Sequence, residues 1–234
     1  MRTLIIIIVF IFIDMNLIQV DKYAALRNKM VDTQIKGRGI SDASVLEAMR
    51  KVPRHLFVTP EYTDDAYGDF PLPINQGQTI SQPYIVAYMT EIVKPSKEKK
   101  ALEIGTGSGY QAAILAETTH TVYTIELIPE LAQEAAAILK KLDYSNVFVR
   151  AGDGYNGWPE HAPFDIIVVT AAADKIPEPL IDQLADGGRL VIPVGRPGAT
   201  QELKLVTKKR GKVEISRLMY VRFVPFKRSG NLSH

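Results

Sequence analysis

The stretch Ala101-Leu-Glu-Ile-Gly-Thr-Gly-Ser-Gly-Tyr-Gln111 decides the fold. Its first four residues are short and mostly apolar, which predicts a buried parallel strand. Gly105, Gly107 and Gly109 follow, and residues 110–117 have the composition of a helix. Glycines between a strand and a helix let a ligand approach the backbone closely, with the N–H groups of the helix facing it. The stretch therefore predicts a ligand site at the end of a strand.

Two acidic residues beside the glycines indicate the ligand. Glu126 ends a second apolar strand, Val122-Tyr-Thr-Ile-Glu126, at a distance where an acid takes the hydroxyls of a ribose. Glu103 precedes the first glycine, where a carboxylate disfavours a pyrophosphate and favours a cation, unless it is a solvated charge at the strand end. The G-x-G-x-G spacing also departs from the G-x-G-x-x-G fingerprint of dinucleotide sites. S-adenosylmethionine carries an ammonium and a sulfonium and no phosphate, so we predict an S-adenosylmethionine site.

The composition excludes several other classes of site. The length of 234 residues suits one α/β domain with an extension, and a net charge of +2 gives no strong field for nucleic acid. There is no cysteine, which excludes disulfides, thiolate catalysis and cysteine metal sites. His55, His120 and His161 lack the spacing of a metal site, so we expect no metal. We also expect a monomer.

The first twenty residues differ from the rest. Leu4 to Ile13 is an uninterrupted apolar run behind Arg2, shorter than the roughly twenty residues that span a bilayer. It resembles the core of a signal peptide, but no small-x-small cleavage site follows it, and an extended translation start explains it equally well. We expect a cytoplasmic protein, because S-adenosylmethionine is made there. Export or membrane tethering through residues 4–13 is the alternative.

Residues 21–98 lack alternating strands and helices, which predicts a helical extension packed on the core. Apolar residues recur at helical spacing from Val20 to about Gly37, and Ser41 or Asp42 caps a second helix through Met49. A polar loop, residues 74–84, follows, and then a helix over residues 84–93.

The polar loop has two interpretations. Thr79 and Gln82 have the spacing of a capping box, which is a purely structural role. Capping does not explain why further amides and hydroxyls crowd the same turn, namely Asn75, Gln76, Gln78 and Ser81. Such a loop is also suited to binding a carboxylate or a peptide backbone, and residue types alone leave both interpretations open.

Residues 99–234 alternate between strands and helices. The predicted elements are a helix over Pro129–Leu142, strands over Asn146–Arg150 and Phe164–Val169, a helix over Pro177–Leu184 that Gly187-Gly188 ends, a strand over Arg189–Val194, and a hairpin of Glu202–Thr207 with Val213–Val221. This order predicts an α/β fold, a doubly wound and mostly parallel Rossmann-like sheet with an antiparallel edge. Asp153, between Gly152 and Gly154 at a strand end, is placed to reach an adenine. Thr170 lies at the ligand edge of the fourth strand. The basic turn Lys208–Lys212 is interpreted as a solvated hairpin tip, and Tyr155 and Trp158 as packing residues.

These motifs together resemble the protein-L-isoaspartate(D-aspartate) O-methyltransferase family, bacterial type, over residues 22–227. The matching segments are residues 30–58 with Gly-Arg-Gly-Ile and Val-Pro-Arg-His-Leu-Phe-Val, the loop Gly77-Gln-Thr-Ile-Ser-Gln-Pro83, residues 102–111, Gly152-Asp-Gly154, Ala162-Pro-Phe-Asp165, Gly187-Gly188, Pro193-Val-Gly195 and Arg222-Phe-Val-Pro225. The Thr-Ile-Ser loop and the closing Arg-Phe-Val-Pro are specific to the family, whereas many methyltransferases share the glycine loop. Gln82-Pro83-Tyr84 follows the bacterial form, where animal members usually have Ala-Pro-His. The run Leu4–Ile13 has no counterpart in the family.

The resemblance implies a function and a set of site residues. It implies methyl transfer from S-adenosylmethionine to the free α-carboxylate of L-isoaspartyl and D-aspartyl residues in damaged proteins. The methyl ester would then lose methanol spontaneously to form a succinimide, off the enzyme. Ser81 falls on the family's active-site serine, with Thr79 beside the same carboxylate. The implied cofactor-binding residues are Glu103, Gly105, Thr106, Gly107, Gly109, Glu126, Leu127, Asp153, Gly154 and Thr170. The implied substrate-binding residues are Ile80, Gln82, Arg222, Phe223 and Val224.

Two rival functions are weighed against this one. The first is a methyltransferase of a small molecule or RNA, against which the extra polar loop and the lack of a basic face argue. The second is a nucleotide-binding module without catalysis, or a nicotinamide oxidoreductase, against which Glu103 and the glycine spacing argue.

Overall fold

The computed structural model describes residues 22–196 and 198–231, and the apolar run at residues 4–13 lies outside them. Its main feature is a seven-stranded sheet with the strand order β5-β4-β3-β6-β7-β8-β9. The strands are β3 (Lys100–Ile104), β4 (Thr121–Glu126), β5 (Val147–Ala151), β6 (Phe164–Val169), β7 (Leu184–Val194), β8 (Gln201–Lys209) and β9 (Lys212–Val221). The five strands β3 to β7 are parallel, and β8 and β9 continue the sheet as an antiparallel hairpin. The predicted mixed sheet is confirmed.

The order of the parallel strands places the ligand site. The chain runs from β3 outward through β4 to β5, and then returns to the other side of β3 to form β6 and β7. The crevice where the two directions diverge lies at the carboxyl end of β3, which is where open α/β sheets bind ligands. The glycines that follow β3 lie at this point.

Helices and the N-terminal extension cover the sheet. The helices are α1 (residues 22–30), α2 (Ala43–Lys51), α3 (Pro83–Ile92), α4 (Tyr110–Thr118), α5 (Pro129–Lys141) and α6 (Glu178–Asp182). Residues 101, 166 and 168 face the side of the sheet that packs against α4 and the extension, while residues 102, 167 and 169 face the opposite side. This alternation follows from the two-residue period of a strand. Helix α4 is buried nearly all round, because it lies between the sheet and the extension.

One local prediction and one of the two interpretations of the polar loop are wrong, and one pair of strands was not predicted. Helix α6 ends at Asp182, and β7 begins at Leu184 and runs through Gly187-Gly188. The glycines therefore lie inside a strand, where the pairing with β6 is irregular, and do not end a helix. The capping box is also absent, since Thr79 lies in a short strand and helix α3 has no side-chain cap. Finally, β1 (Leu72–Pro73) and β2 (Thr79–Ile80) form a small antiparallel pair that sequence periodicity did not indicate.

The described residues were searched for a membrane-spanning helix and for a group of metal-binding side chains. Within residues 22–196 and 198–231, no helix is long and apolar enough to cross a membrane. Over the same ranges no three acidic or histidine side chains are grouped so that they could hold a metal ion.

Candidate active site

The glycine loop after β3 needs its glycines for space as well as for backbone conformation. Gly105 has a φ of 95°, and a Cβ there would lie 2.4 Å from the hydroxyl oxygen of Thr170. That hydroxyl approaches the carbonyl oxygens of Gly105 at 2.6 Å and Ile104 at 3.0 Å, so it fixes the loop from the end of β6. Gly109, with a φ of 86°, begins α4 and packs against Leu139, away from the cavity.

Glu126 holds the loop from the end of β4. One carboxylate oxygen accepts the Gly107 N–H at 2.8 Å, and the other accepts the Ile128 N–H at 3.1 Å. The side chain also lines the cavity above the glycines. Each carboxylate oxygen has a further lone pair, so the group can accept hydroxyl donors from a ligand while it shapes the loop.

Glu103 is fully buried beneath the same cavity. Its Oε2 accepts a 2.5 Å hydrogen bond from Thr124 on β4, and its Oε1 has no hydrogen-bond partner among the described residues. Burial raises the pKa of Glu103 to about 8, the Thr124 hydrogen bond lowers it, and the nearby Glu126 adds to the rise. A buried carboxylate oxygen without a donor is costly, and a cationic ligand group would relieve that cost.

These groups surround one cavity at the end of β3. Its floor is the glycine loop, and one wall is the end of β4 with Glu126, Leu127 and Ile128. The polar loop 78–81 forms a second wall, and residues 224–227 after β9 form a third. The cavity lining is largely apolar, with a few polar groups directed inward, which is the usual composition of a small-ligand site.

The polar loop is held rigidly at the cavity's rim. Ile80 pairs with Leu72 and is buried, so the alternation along the loop turns Thr79 and Ser81 to the opposite side. Gln82 donates from Nε2 to the backbone and side-chain oxygens of Asp69, which anchors the loop's end. The hydroxyls of Thr79 and Ser81 make no hydrogen bond to any residue within 22–196 or 198–231. They are free to meet a ligand.

A surface groove adjoins the cavity at this loop. Thr79 and Ser81 line the cavity on one side and the groove on the other. The rest of the groove includes Gln82, Arg222 and Phe223 of the predicted substrate set, together with Arg38 and residues 219–221. A ligand in the groove and a ligand in the cavity would therefore meet at these two hydroxyls.

The structure brings most of the predicted residues together, with some differences in place. Ile80 and Val224 line the cavity and not the groove. Gly154 lines the cavity, whereas the carboxylate of Asp153 binds Arg228 and the Tyr155 N–H. Thr106 lines the cavity, with its hydroxyl oxygen 2.6 Å from that of Thr124.

Several residues of the site were missed. The sequence predicts an apolar strand around Thr124, and the register of Thr124 opposite Glu103 is visible only once the sheet is assembled. The cavity wall also includes Phe226 and Lys227, for which the only signal is their position after the closing motif that ends at Pro225. Trp158 packs against Tyr123 and His161, as predicted.

The sheet order, the glycine loop and the buried acid define the class of protein first: a Rossmann-like S-adenosylmethionine-dependent methyltransferase. The comparisons then identify the family. The family model of protein-L-isoaspartate(D-aspartate) O-methyltransferase matches residues 25–230. The chain belongs to this family.

Individual relatives agree with this assignment. A protein-L-isoaspartate O-methyltransferase of Opitutus terrae is 58% identical, over 86% of this chain and 87% of the relative. One from Gloeobacter violaceus is 55% identical, over 88% of this chain and 100% of the relative. A Plasmodium falciparum structure assigned to the same enzymes, in complex with S-adenosyl-L-homocysteine, is 28% identical with a TM-score of 0.75, over 87% of this chain and 99% of that one. The predicted fold, family and cofactor are confirmed.

Proposed function

We propose that Ser81 and Thr79 hold the free α-carboxylate of an isoaspartyl residue at the rim of the cofactor cavity. The protein is a methyltransferase that uses S-adenosylmethionine to esterify this carboxylate in damaged peptides and proteins, including D-aspartyl sites, and so initiates repair. The observation that supports the roles of the two residues is that both line the cavity and the groove, with hydroxyls that no described residue occupies. The peptide would lie in the groove and its carboxylate at the boundary.

The cavity residues fit the cofactor group by group. Glu103, whose buried Oε1 has no donor among the residues that the structure describes, is suited to the ammonium of the methionine part. Glu126 is suited to the ribose hydroxyls, and Gly105 and Gly107 leave the backbone open to close approach. The remaining proposed contacts come from the other members of the predicted set that line the cavity, namely Thr106, Leu127, Gly154 and Thr170. When bound, S-adenosylmethionine supplies a methyl group already activated on a sulfonium.

The proposed mechanism uses the protein for positioning. An α-carboxylate has a pKa near 3.5, so it is ionised at neutral pH and needs no general base. This agrees with a rim whose described residues present hydroxyls and no histidine. Ser81 and Thr79 would donate hydrogen bonds to one carboxylate oxygen and leave the other directed into the cavity, where orientation and exclusion of water supply the rate.

Methyl transfer to a matched pair of peptides tests this function. One peptide contains isoaspartate and the other normal L-aspartate, and the label from S-adenosylmethionine is followed into base-labile methanol. We expect label from the isoaspartyl peptide alone. Label from both peptides, or from neither while the cofactor still binds, would contradict the proposed selectivity.

The finer properties of partner and place are proposals as well. The protein acts as a monomer on isoaspartyl-containing peptides and proteins, with no nucleic acid, and it works in the cytoplasm, where its cofactor is made. Sedimentation of the full chain and fractionation of the source cells measure these two properties. A stable dimer, or activity confined to the membrane fraction, would contradict them.

A further inference from the structure

The segment after β9 crosses the ligand end of the sheet. We call residues 222–229 the C-terminal strap. Its backbone is fixed near the start, where the Phe223 N–H donates to Gln201 at 2.9 Å. In its middle, the Ala172 N–H donates to the Val224 carbonyl at 2.8 Å, and the Phe226 N–H donates to the Ala172 carbonyl at 2.8 Å. Between these fixed points, residues 224–227 form a wall of the cofactor cavity.

The far end of the strap is fastened to Asp153, at the end of β5. Arg228 donates from Nε to Oδ2 of Asp153 at 2.7 Å, and the backbone N–H and hydroxyl of Ser229 reach the same oxygen at 3.3 Å. The Arg228 guanidinium also lies over the ring of Tyr155, 3.7 Å from its centroid. The side chain of Asp153 is 13% exposed and that of Arg228 is 40% exposed, so the pair is partly protected from solvent.

The carboxylate of Asp153 is committed to this contact. Its other oxygen accepts the Tyr155 N–H at 3.0 Å, and the side chain is not among the residues that line the cavity, although Gly154 is. Burial opposes ionisation of Asp153, but the hydrogen bonds from Arg228, Tyr155 and Ser229 lower its pKa below the ordinary value. The pair is therefore charged throughout the neutral range.

We infer that Asp153 and Arg228 are positioning residues: their ion pair holds the C-terminal strap against the Gly154 end of the cavity and so sets how fast the cofactor leaves. This inference rests on the placement of the cofactor in the cavity that is proposed above. It gives Asp153 a role that acts through the strap, in place of the direct contact with adenine that its position in the sequence predicts. Neither residue is among those that line the groove proposed for the peptide.

The dissociation rate of the cofactor measures the inference directly. Labelled S-adenosylmethionine is bound to the full chain and chased with excess unlabelled cofactor. We expect Arg228→Ala to release label about fivefold faster than the wild type, since a partly exposed charge-assisted contact is lost. The turnover number at saturating cofactor should stay within about twofold, and Arg228→Lys should restore most of the slow release. Lys51→Ala is the control, because it breaks an ion pair with Glu117, whose carboxylate is about as buried as that of Asp153, away from the cavity.

A double-mutant cycle separates the strap from a direct adenine contact. If Asp153 acts through Arg228, Asp153→Ala and the double variant should each release cofactor about as fast as Arg228→Ala. Effects of the two substitutions that multiply would instead assign Asp153 to the cofactor and overturn the inference, as would an Arg228→Ala rate equal to that of the Lys51→Ala control. Because the assay uses no peptide, its failure is distinguishable from a failure of isoaspartyl methylation.

Discussion

Cofactor binding should release a proton from Glu103. The free protein holds this side chain largely protonated at neutral pH, since its pKa is raised to about 8, first by burial. A cationic ligand group beside Oε1 favours the ionised form, so binding the cofactor requires the proton to leave. Below pH 8, removing that proton makes the binding free energy of the cofactor less favourable by about 1.4 kcal/mol for each pH unit. This corresponds to a factor of about ten in affinity.

The prediction is therefore quantitative. We expect the dissociation constant of S-adenosylmethionine to rise about tenfold as the pH is lowered from 7 to 6, and close to one proton to be released per cofactor at pH 7. Titration calorimetry in two buffers of different ionisation enthalpy measures both quantities. The pH dependence of the dissociation constant should disappear in Glu103→Gln, which keeps an acceptor for Thr124 but carries no charge. This variant should also bind the cofactor more weakly than the wild type at pH 8.

Two results would refute this reasoning. A dissociation constant that is constant between pH 6 and 7 would mean that Glu103 does not face a cationic group. Equal proton release by the wild type and Glu103→Gln would assign the proton to another residue.

The same side chain affects the stability of the free protein. An unfolded chain releases the Glu103 proton near the ordinary glutamate pKa of 4.5, whereas the folded chain retains it to about pH 8. The native state binds more protons between these values, so this group's contribution to the free energy of unfolding falls as the pH rises from about 4.5 to 8. Denaturant unfolding of Glu103→Gln against the wild type, at pH 6 and pH 8, measures the difference. A larger advantage of the variant at pH 6 than at pH 8 would contradict the sign.

Three substitutions test the remaining parts of the site. Ser81→Ala should keep the cofactor affinity and lower the turnover of the isoaspartyl peptide by more than about tenfold, because it removes a hydrogen bond to the substrate only; unchanged turnover, with Ser96→Ala as the control, would remove Ser81 from the mechanism. Glu126→Ala should weaken cofactor binding by about tenfold or more, since it leaves the N–H groups of Gly107 and Ile128 without their acceptor and removes the proposed ribose contact. Calorimetry measures the dissociation constant, and a wild-type value would count against the ribose role of Glu126. Gly105→Ala should lower the melting temperature and the cofactor affinity together, because its Cβ would meet the Thr170 hydroxyl at 2.4 Å. Gly211→Ala is the control, since Gly211 has a comparable φ of 73° but open space around it. An equal loss of cofactor affinity in the control would show that backbone strain alone is responsible.

The parts of the site that could be predicted from the sequence are the local ones. The glycine loop and Glu126 lie within about twenty residues of each other along a strand–loop–helix–strand path, and their places follow from the geometry of that unit. Residue types alone left the polar loop undecided between capping by Thr79 and Gln82 and the binding of a ligand. The structure removes the capping box as an explanation by placing Thr79 in β2, outside helix α3.

The parts that were missed depend on contacts between distant segments. Thr124 meets Glu103 because β3 and β4 pair in one particular register. Asp153 meets Arg228 across 75 residues of sequence, and nothing in the local pattern of either residue indicates the pair. Gly187-Gly188 has the pattern of a helix end, and the pairing of β7 with β6 overrides that preference.

The change in charge on the substrate carboxylate explains why neutral hydroxyls are suited to the proposed mechanism. The substrate carboxylate loses its negative charge as the ester forms, so a cation bound to it would stabilise the reactant more than the transition state. A hydroxyl donor orients the carboxylate oxygen through a weaker interaction. The reactant is then stabilised over the transition state by a smaller amount. Arg38 is a cation that lines the groove, and it forms an ion pair with Asp69 at 2.9 Å. Its guanidinium also lies over the ring of Tyr84. The charge of Arg38 is thereby paired within the groove. The substrate carboxylate would lie at the cavity's rim, with Ser81 and Thr79 as its hydrogen-bond donors.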